Sequence, residues 1–385
     1  MTPAGPIRVA FLIDTLELAG AEKQLVTVAT GLDRHRFVPL VICLTGKGPY
    51  ERELRRAGVS VLFVGKRHKV GVLAYRRLRA LLRRDRPDVL HTWMFTCNLY
   101  GRLAARGLPT ATLASEVAAD MGKSTIRLAI DRWLAASTRA FYVNSVVVAR
   151  FYHERCGIPL EKMVVIPNGV RVAEMAPVSR ATLGVREGTF VACCAGRLSP
   201  EKGFDRVIEA LGAPALQGRN VELLIAGEGP SRGSLETLAA SRGLAGRVHL
   251  LGHRSDLPAV LRAADVFVLS SLHEGMSNVL MEAMAIGMPC VTTPVGGVEE
   301  LMVDGESGLV VASSAPEPIA AALARLMDAP ELARRLAAAA RDRMARSFSI
   351  EANVRRFEAL YETLVTPGDG APARAPCHRD DDPQG

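Results

Sequence analysis

Two pairs of charged residues in the C-terminal half have types and spacings that could do chemistry. Arg197 and Lys202 lie on a short turn that begins at Gly196. A guanidinium fork and a mobile ammonium group on such a turn can hold a diphosphate from two directions. Glu274 and Glu282 are carboxylates, which do not bind phosphate but accept hydrogen bonds from hydroxyl groups. A site that holds both pairs would bind a diphosphate that carries sugar hydroxyls, as a nucleotide sugar does.

The two glutamates bracket the predicted start of a helix. The apolar run 265–270 predicts a buried strand, and Ser277 and Asn278 can cap the helix that follows it. Gly287 predicts the end of that helix. A strand that feeds a helix through a loop containing Gly275 leaves unpaired N–H groups at the helix start, and such groups attract phosphate. The alternative is an ordinary solvated helix start, where acidic residues complement the helix dipole.

The stretch 274–282 resembles the Glu-x7-Glu motif of the family 4 retaining glycosyltransferases, and residues 196–203 resemble a second motif of that family. The resemblance covers residues 7–365, and each motif follows a predicted strand. It implies the GT-B arrangement, in which two Rossmann-like, doubly wound α/β domains face a cleft. It also implies sugar transfer from a nucleotide-sugar donor with retention at the anomeric carbon.

The resemblance further implies roles for individual residues. Arg197 and Lys202 would neutralise the donor diphosphate, Glu274 would hold hydroxyls of the donor sugar, and Glu282 would hold the ribose diol. The other expected donor-binding positions are Gly20, Gly196, Gly227, Gly229, His253, Gly275, Met276, Ser277 and Asn278. No metal or cofactor is expected, since the basic pair and the helix start would replace the divalent cation that other transferases use.

The acceptor side is expected in the N-terminal half, where His91, Ser115 and Glu116 are the candidate residues. His91 is predicted to end a strand, at the edge of the sheet where ligands bind, although a lone histidine also fits a structural role. Related enzymes often place a histidine after the next strand. This chain has Ser115 and Glu116 at that point, so a histidine with that role is not expected here.

Strand and helix patterns alternate along the chain, which predicts parallel sheets covered by helices. We predict an N-terminal domain over residues 1–172 and a donor-binding domain over 173–349. A helix over 350–365 is expected to pack back on the first domain, and residues 366–385 are expected to form a disordered tail. The turn 227–230 resembles a dinucleotide fingerprint, but the third glycine and the distal acid of that motif do not occur at the required spacing.

Composition narrows the classes of partner. Residues 1–185 have a net charge of +14 and the remaining residues −6, within a total of +8. The basic half suits an anionic partner, but its few aromatic residues are not interleaved with basic ones, which argues against nucleic acid. The most basic segment, 66–86, predicts either a solvated crossover helix or a peripheral contact with anionic lipid. The seven scattered cysteines, together with the absence of a leader or a membrane-length apolar run, predict a cytoplasmic chain with reduced thiols. A contact of the basic segment with anionic lipid would place this chain at the inner face of the cell membrane.

These patterns together predict an enzyme that takes a UDP-, GDP- or ADP-sugar as donor and a glycan or a lipid-linked molecule as acceptor. Two alternatives remain at this level. One is a sugar-nucleotide epimerase or hydrolase of the same fold, and the other is a protein that binds a nucleotide sugar without catalysis.

Overall fold

The computed structural model describes residues 5–66, 71–117, 124–171 and 175–366. The chain divides into two units. Unit 1 runs as far as Gly169 and resumes at Ile350, and unit 2 runs from Val170 to Ser349. The predicted domain boundary follows residue 172, and residues 172–174 lie outside the described residues. The predicted tail also lies outside them, except for residue 366.

Unit 1 is built on a seven-stranded sheet in which every neighbouring pair of strands is parallel. Its strands are β1 Ile7–Ile13, β2 Phe37–Cys43, β3 Ser60–Phe63, β4 Val89–Trp93, β5 Ala111–Glu116, β6 Ala140–Val143 and β7 Met163–Val165. The order across the sheet is β3-β2-β1-β4-β5-β6-β7. The chain therefore winds outward in one direction from β1 and in the other from β4, as the predicted doubly wound fold requires.

Helices cover both faces of this sheet. They are α1 Gly20–Gly31, α2 Tyr50–Arg56, α3 Val72–Asp85, α4 Met94–Ala105, α5 Thr125–Ala135, α6 Val146–Cys156 and the C-terminal helix Ile350–Val365. Side chains of successive strand residues point to opposite faces. Phe11 of β1 accordingly packs with Leu25 and Phe357 of α1 and the C-terminal helix, whereas Leu12 packs with Leu78 of α3. The contacts α3–α4, α4–α5 and α5–α6 join those four helices into one layer.

Unit 2 has a six-stranded parallel sheet in the order β10-β9-β8-β11-β12-β13. Its strands are β8 Phe190–Ala195, β9 Val221–Ala226, β10 Val248–Gly252, β11 Val266–Leu269, β12 Cys290–Thr292 and β13 Leu309–Val310. Its helices are α7 Phe204–Ala210, α8 Arg232–Ser241, α9 Leu257–Arg262, α10 Asn278–Ile286, α11 Val298–Leu301, α12 Pro316–Asp328 and α13 Pro330–Ser347. Among the described helices of the chain, none is both long enough and apolar enough to cross a bilayer.

The winding direction of unit 2 reverses between β8 and β11, which are adjacent and parallel. In an open α/β sheet the loops that leave the carboxyl ends of such a strand pair diverge to opposite faces, and the crevice between them is where ligands bind. The two charged motifs predicted from the sequence lie on the turns that follow these two strands. The fold therefore brings them to the same point on the edge of the sheet.

His91 was predicted to end its strand, but it lies within the core of unit 1. β4 continues to Trp93, and the imidazole of His91 is fully buried. The aromatic rings of Phe11, Trp93 and Phe357 pack around it. Burial disfavours the charged ring and lowers the pKa of His91 to about 3.

The buried His91 predicts a dependence of stability on pH. The unfolded chain takes up a proton on this ring near pH 6.5, whereas the folded chain does so only near pH 3. The free energy of unfolding should therefore be highest above pH 6.5 and fall as pH decreases towards 3, with a slope approaching one proton. Urea titrations between pH 8 and pH 4 should show this slope.

A variant of the ring itself supplies the control for this experiment. His91→Gln should reduce the pH dependence by about one proton, whatever its effect on stability at pH 8. An unchanged slope in His91→Gln would show that the ring does not stay neutral in the folded chain.

Candidate functional site

The first part of the candidate site is the turn between β8 and α7. Residues 200–202 form a single 3-10 turn, and Gly203 follows it with φ of 62°, in the left-handed region. A β-carbon on Gly203 would lie 2.2 Å from the carbonyl oxygen of Ser270, so only glycine allows this approach. The turn after β8 is thereby brought against the turn after β11.

The second part is the turn between β11 and α10. The hydroxyl of Ser277 caps α10 by accepting a hydrogen bond from the N–H of Leu280 at 3.4 Å, as the sequence predicted. Gly287 ends the helix with φ of 83°. Leu280 and Met284 anchor α10 in the core of unit 2, together with the buried side chain of Met276. The start of α10 is thus fixed by packing on one side and by its cap on the other.

A short contact between Lys202 and Glu274 joins the two turns. The ammonium Nζ of Lys202 lies 2.6 Å from Oε1 of Glu274, and the side chains remain 24% and 12% exposed. The hydroxyl of Ser271 donates a second hydrogen bond to the same oxygen, at 2.8 Å. One carboxylate oxygen is therefore held by two donors, so the position of Glu274 is defined without a ligand.

Further hydrogen bonds fix the backbones of the two turns to each other. The hydroxyl of Ser270 donates to the carbonyl of Lys202 at 2.9 Å, and the N–H of Leu272 donates to the carbonyl of Glu201 at 2.8 Å. Thr293, which follows β12, donates to the carbonyl of Ser271 at 2.7 Å. The sequence analysis missed these residues, although short polar side chains directly after an apolar strand are a signal that could have indicated them.

The glycines predicted to meet the donor also have a packing role. A β-carbon on Gly227 would lie 1.8 Å from the carbonyl oxygen of Gly196, and one on Gly229 would lie 2.4 Å from that of Leu198. The turn after β9 therefore lies directly against the turn after β8. In the same way Gly297, before α11, leaves room for the carbonyl of Gly275, which a β-carbon would approach to 2.2 Å. Four strand-to-helix turns of unit 2 thus pack into one surface.

The remaining predicted residues of unit 2 lie on this same edge of the sheet. Arg197 is exposed in the turn after β8, and His253 is exposed after β10. Asn278 is the first residue of α10, and Glu282 is partly exposed about one turn further along that helix. A hydrogen bond from the hydroxyl of Ser199 lowers the pKa of Glu201, so this carboxylate next to Lys202 stays charged.

Two of the residues predicted for the site in unit 1 lie in its core and not at the edge of its sheet. Gly20 is the first residue of α1, after β1. His91 and Ser115 are fully buried, and their side chains contact each other, with Nε2 of the ring 2.6 Å from the hydroxyl. Nδ1 of the ring lies 2.8 Å from the hydroxyl of Tyr361. Both nitrogens of a neutral imidazole are thus occupied, and these two side chains are part of the core and not of a surface site.

Glu116 ends β5, at the edge of the unit 1 sheet where the strands have their carboxyl ends. It is buried, and it accepts a hydrogen bond from the amide of Asn98 at 2.9 Å. Of the three predicted acceptor-side residues, Glu116 is the one placed at that edge. Within the described ranges, no cluster of three or more His, Cys, Asp or Glu side chains could hold a metal ion.

Two family models match the chain. The model described as Glycosyltransferase Family 4 matches residues 18–174, and the model described as Glycosyl transferases group 1 matches residues 176–343. The lipopolysaccharide core biosynthesis glycosyltransferase LpsE of Rhizobium meliloti (strain 1021) is 32% identical over 276 residues, which are 72% of this chain and 76% of the relative. The UDP-Gal:alpha-D-GlcNAc-diphosphoundecaprenol alpha-1,3-galactosyltransferase of Escherichia coli is 28% identical over 306 residues, 75% and 78% of the two chains.

Solved structures show the same architecture. The crystal structure of Anabaena Alr3699/HepE in complex with UDP matches with a TM-score of 0.81 and 21% identity, over 93% of this chain and 100% of the other. The same protein in complex with UDP-glucose matches with a TM-score of 0.80. At this identity the likeness establishes the fold, which is GT-B as predicted. Together with the family models and relatives, it shows that the chain is a glycosyltransferase and belongs to family 4, group 1, of those enzymes.

Proposed function

We propose that this glycosyltransferase moves a sugar from a nucleotide-sugar donor to a hydroxyl group of a glycan or lipid-linked acceptor, with retention and without a metal ion. The observation that carries this proposal is the contact between Lys202 and Glu274, 2.6 Å long, at the point where the unit 2 sheet reverses its winding. The names of the relatives support a UDP-sugar, since one uses UDP-Gal and a solved neighbour holds UDP-glucose.

Lys202 and Arg197 have the role of binding the diphosphate. As the bond from the sugar to the phosphate breaks, negative charge builds up on the leaving diphosphate, and fixed positive groups lower the energy of that state. Lys202 is held by Glu274, while the side chain of Arg197 is exposed and can close on the ligand from the other side of the turn. The N-terminus of α10 adds a partial positive charge nearby.

Glu274 and Glu282 have the role of binding hydroxyl groups. Glu274 uses one carboxylate oxygen for Lys202 and Ser271 and is assigned to hydroxyls of the donor sugar. Glu282 lies further along α10 and is assigned to the ribose diol of the nucleotide. One carboxylate in the loop before α10, near the diphosphate, and another about one turn into the helix fit a ligand with sugar on both sides of its phosphates.

The proposed step takes place on one face of the donor sugar. The bond between the anomeric carbon and the diphosphate oxygen breaks with its electron pair leaving on the diphosphate. The acceptor oxygen forms its bond to the same carbon from the same side, and its proton passes to the leaving phosphate oxygen. This order of events preserves the anomeric configuration and requires no enzymic nucleophile.

A turnover assay tests the proposal against its two rivals. With donor, acceptor and EDTA, we expect glycosylated acceptor to form with retained configuration, and magnesium should not raise the rate. An epimerase or hydrolase would alter the donor sugar when no acceptor is present. A non-catalytic protein would bind the donor and form no product. Complete loss of turnover in EDTA that magnesium restores would contradict the metal-free mechanism.

The basic pair gives a prediction about catalysis. Lys202→Ala should lower kcat/KM for the donor by roughly 100- to 1,000-fold, as is common when a group that stabilises transition-state charge is lost. Arg197→Ala should also lower it, by less, because its exposed guanidinium is less fixed. Arg206→Ala is the matched control, since Arg206 lies nearby on α7 and its guanidinium pairs with the exposed Asp205. Steady-state kinetics would contradict the assignment if Lys202→Ala stayed within twofold of wild type.

The hydrogen bond from Ser271 gives a second prediction. Ser271→Ala removes one of the two donors that hold Glu274, so the carboxylate should bind the donor sugar less well. We expect kcat/KM for the nucleotide sugar to fall by about three- to tenfold, the range of one ordinary hydrogen bond. The affinity for the free nucleoside diphosphate should be unchanged, because Glu274 is assigned to the sugar.

Calorimetric titrations with the nucleotide sugar and the free nucleoside diphosphate separate these effects. Ser241→Ala is a suitable control, because its hydroxyl bonds only to the end of α8, at the carbonyl of Leu238, among the described residues. Equal losses for both ligands would indicate that Ser271 supports the whole turn and does not act through Glu274.

A further inference from the structure

The carboxylate of Glu116 is held at the edge of the unit 1 sheet by side chains from two helices. Glu116 ends β5 and is only 5% exposed. The amide of Asn98, in α4, donates a hydrogen bond to its Oε1 at 2.9 Å. The hydroxyl of Tyr152, in α6, also hydrogen-bonds to this carboxylate. Burial raises the pKa of Tyr152, so its hydroxyl stays protonated and acts as the donor.

The orientation of the Asn98 amide is fixed by its own partners. Asn98 is fully buried, and the hydroxyl of Thr92, in β4, donates a hydrogen bond to its Oδ1 at 2.6 Å. Its Nδ2 donates to the backbone carbonyl of Ser115 at 2.9 Å as well as to Glu116. Both N–H groups of the amide are therefore in use, and the amide cannot turn over without losing these three bonds. Asn98 thus ties the end of β5 to the end of β4.

The turn between β4 and α4 carries backbone strain at the same place. Met94 is the first residue of α4 and has φ of 69°, in the left-handed region that residues other than glycine rarely adopt. Strained residues of this kind persist where the surrounding structure enforces them, and they cluster at functional sites. The unit 1 sheet reverses its winding between β1 and β4, which is where ligands bind in open α/β sheets. Asn98 lies about one turn further along α4, so its bonds help to enforce this turn.

We propose that Asn98 is a positioning residue, which holds the carboxylate of Glu116 so that it accepts a hydrogen bond from a hydroxyl group of the acceptor. Asn98 and Tyr152 are neutral donors, so their bonds fix the carboxylate without cancelling its charge. A hydroxyl group that donates to a fixed carboxylate forms a stronger hydrogen bond than one that donates to a neutral oxygen. This inference rests on the proposed function, because it concerns how unit 1 binds the acceptor of that reaction.

Steady-state kinetics test the inference directly, with UDP-glucose and UDP-galactose as donor probes and lipid-linked N-acetylglucosamine diphosphate as the acceptor probe. Asn98→Ala should lower kcat/KM for the acceptor by roughly 10- to 100-fold, the range of a hydrogen bond to a charged group. KM for the donor should stay within twofold of wild type, because the donor residues lie in unit 2. Thr138→Val is the matched control and should behave as wild type, since its buried hydroxyl bonds to the carbonyl of Leu134 at the opposite edge of the sheet.

Two further variants separate positioning from general support of the fold. Thr92→Val keeps the shape of the side chain but removes the bond that orients the amide, so kcat/KM for the acceptor should fall by about three- to tenfold. Asn98→Ala combined with Glu116→Ala should be within about twofold of Glu116→Ala alone, because Asn98 acts through that carboxylate. Thermal melting should show that the variants are folded. Additive losses in the double variant, or equal losses for donor and acceptor, would overturn the assignment.

A binding measurement distinguishes failure of this inference from failure of the proposed function. With UDP present, the wild type should bind free N-acetylglucosamine in saturation-transfer NMR, and Asn98→Ala should lose most of that signal. Equal signals in the two proteins, or no signal in the wild type, would overturn the role of Asn98. A wild type that binds the sugar but forms no product with either donor would instead contradict the proposed function, and the comparison with Asn98→Ala would still decide this inference.

Discussion

The candidate site depends on the contact between two turns that are about seventy residues apart in the sequence. The turns meet because β8 and β11 are neighbours in the unit 2 sheet, and because the chain reverses its winding between them. Lys202 and Glu274 then form an ion pair. The hydroxyl of Ser270 donates a hydrogen bond to the backbone of Lys202, and the hydroxyl of Ser271 donates one to the carboxylate of Glu274. Without this adjacency the basic pair and the acids would be separate features of two loops and would not lie together.

Charge pairing alone does not identify a functional site in this chain. Glu222 in β9 is fully buried and lies 2.6 Å from Arg186 and 2.7 Å from His249. Burial opposes its charge, but the hydrogen bonds from these two partners hold its pKa below the ordinary value. This cluster lies near the amino ends of β9 and β10, away from the edge where ligands bind in such sheets. Its role is best understood as the neutralisation of a buried carboxylate.

The architecture could be predicted from the sequence because the strand and helix pattern and the helix motif after β11 are both local signals. Alternating apolar strands and amphipathic helices predict the layers, and the stretch 274–287 contains both the cap and the stop of its helix. The roles of Ser270 and Ser271 could not be predicted, because their hydrogen bonds depend on which distant turn lies beside them. The prediction for His91 was wrong for the same reason, since its partner Tyr361 is 270 residues away and belongs to the C-terminal helix. Local patterns cannot reveal such a partner.

The glycines that line the turns have a consequence for the energy of ligand binding. At Gly203, Gly227 and Gly297 the neighbouring backbone approaches so closely that no β-carbon fits. Backbone packed at this distance has few alternative conformations, although glycine is the residue with the most freedom in an open loop. A ligand that enters such a site loses little of its binding free energy to the entropy of ordering the protein. The close packing that restricts these turns sterically therefore also favours affinity at the proposed donor site.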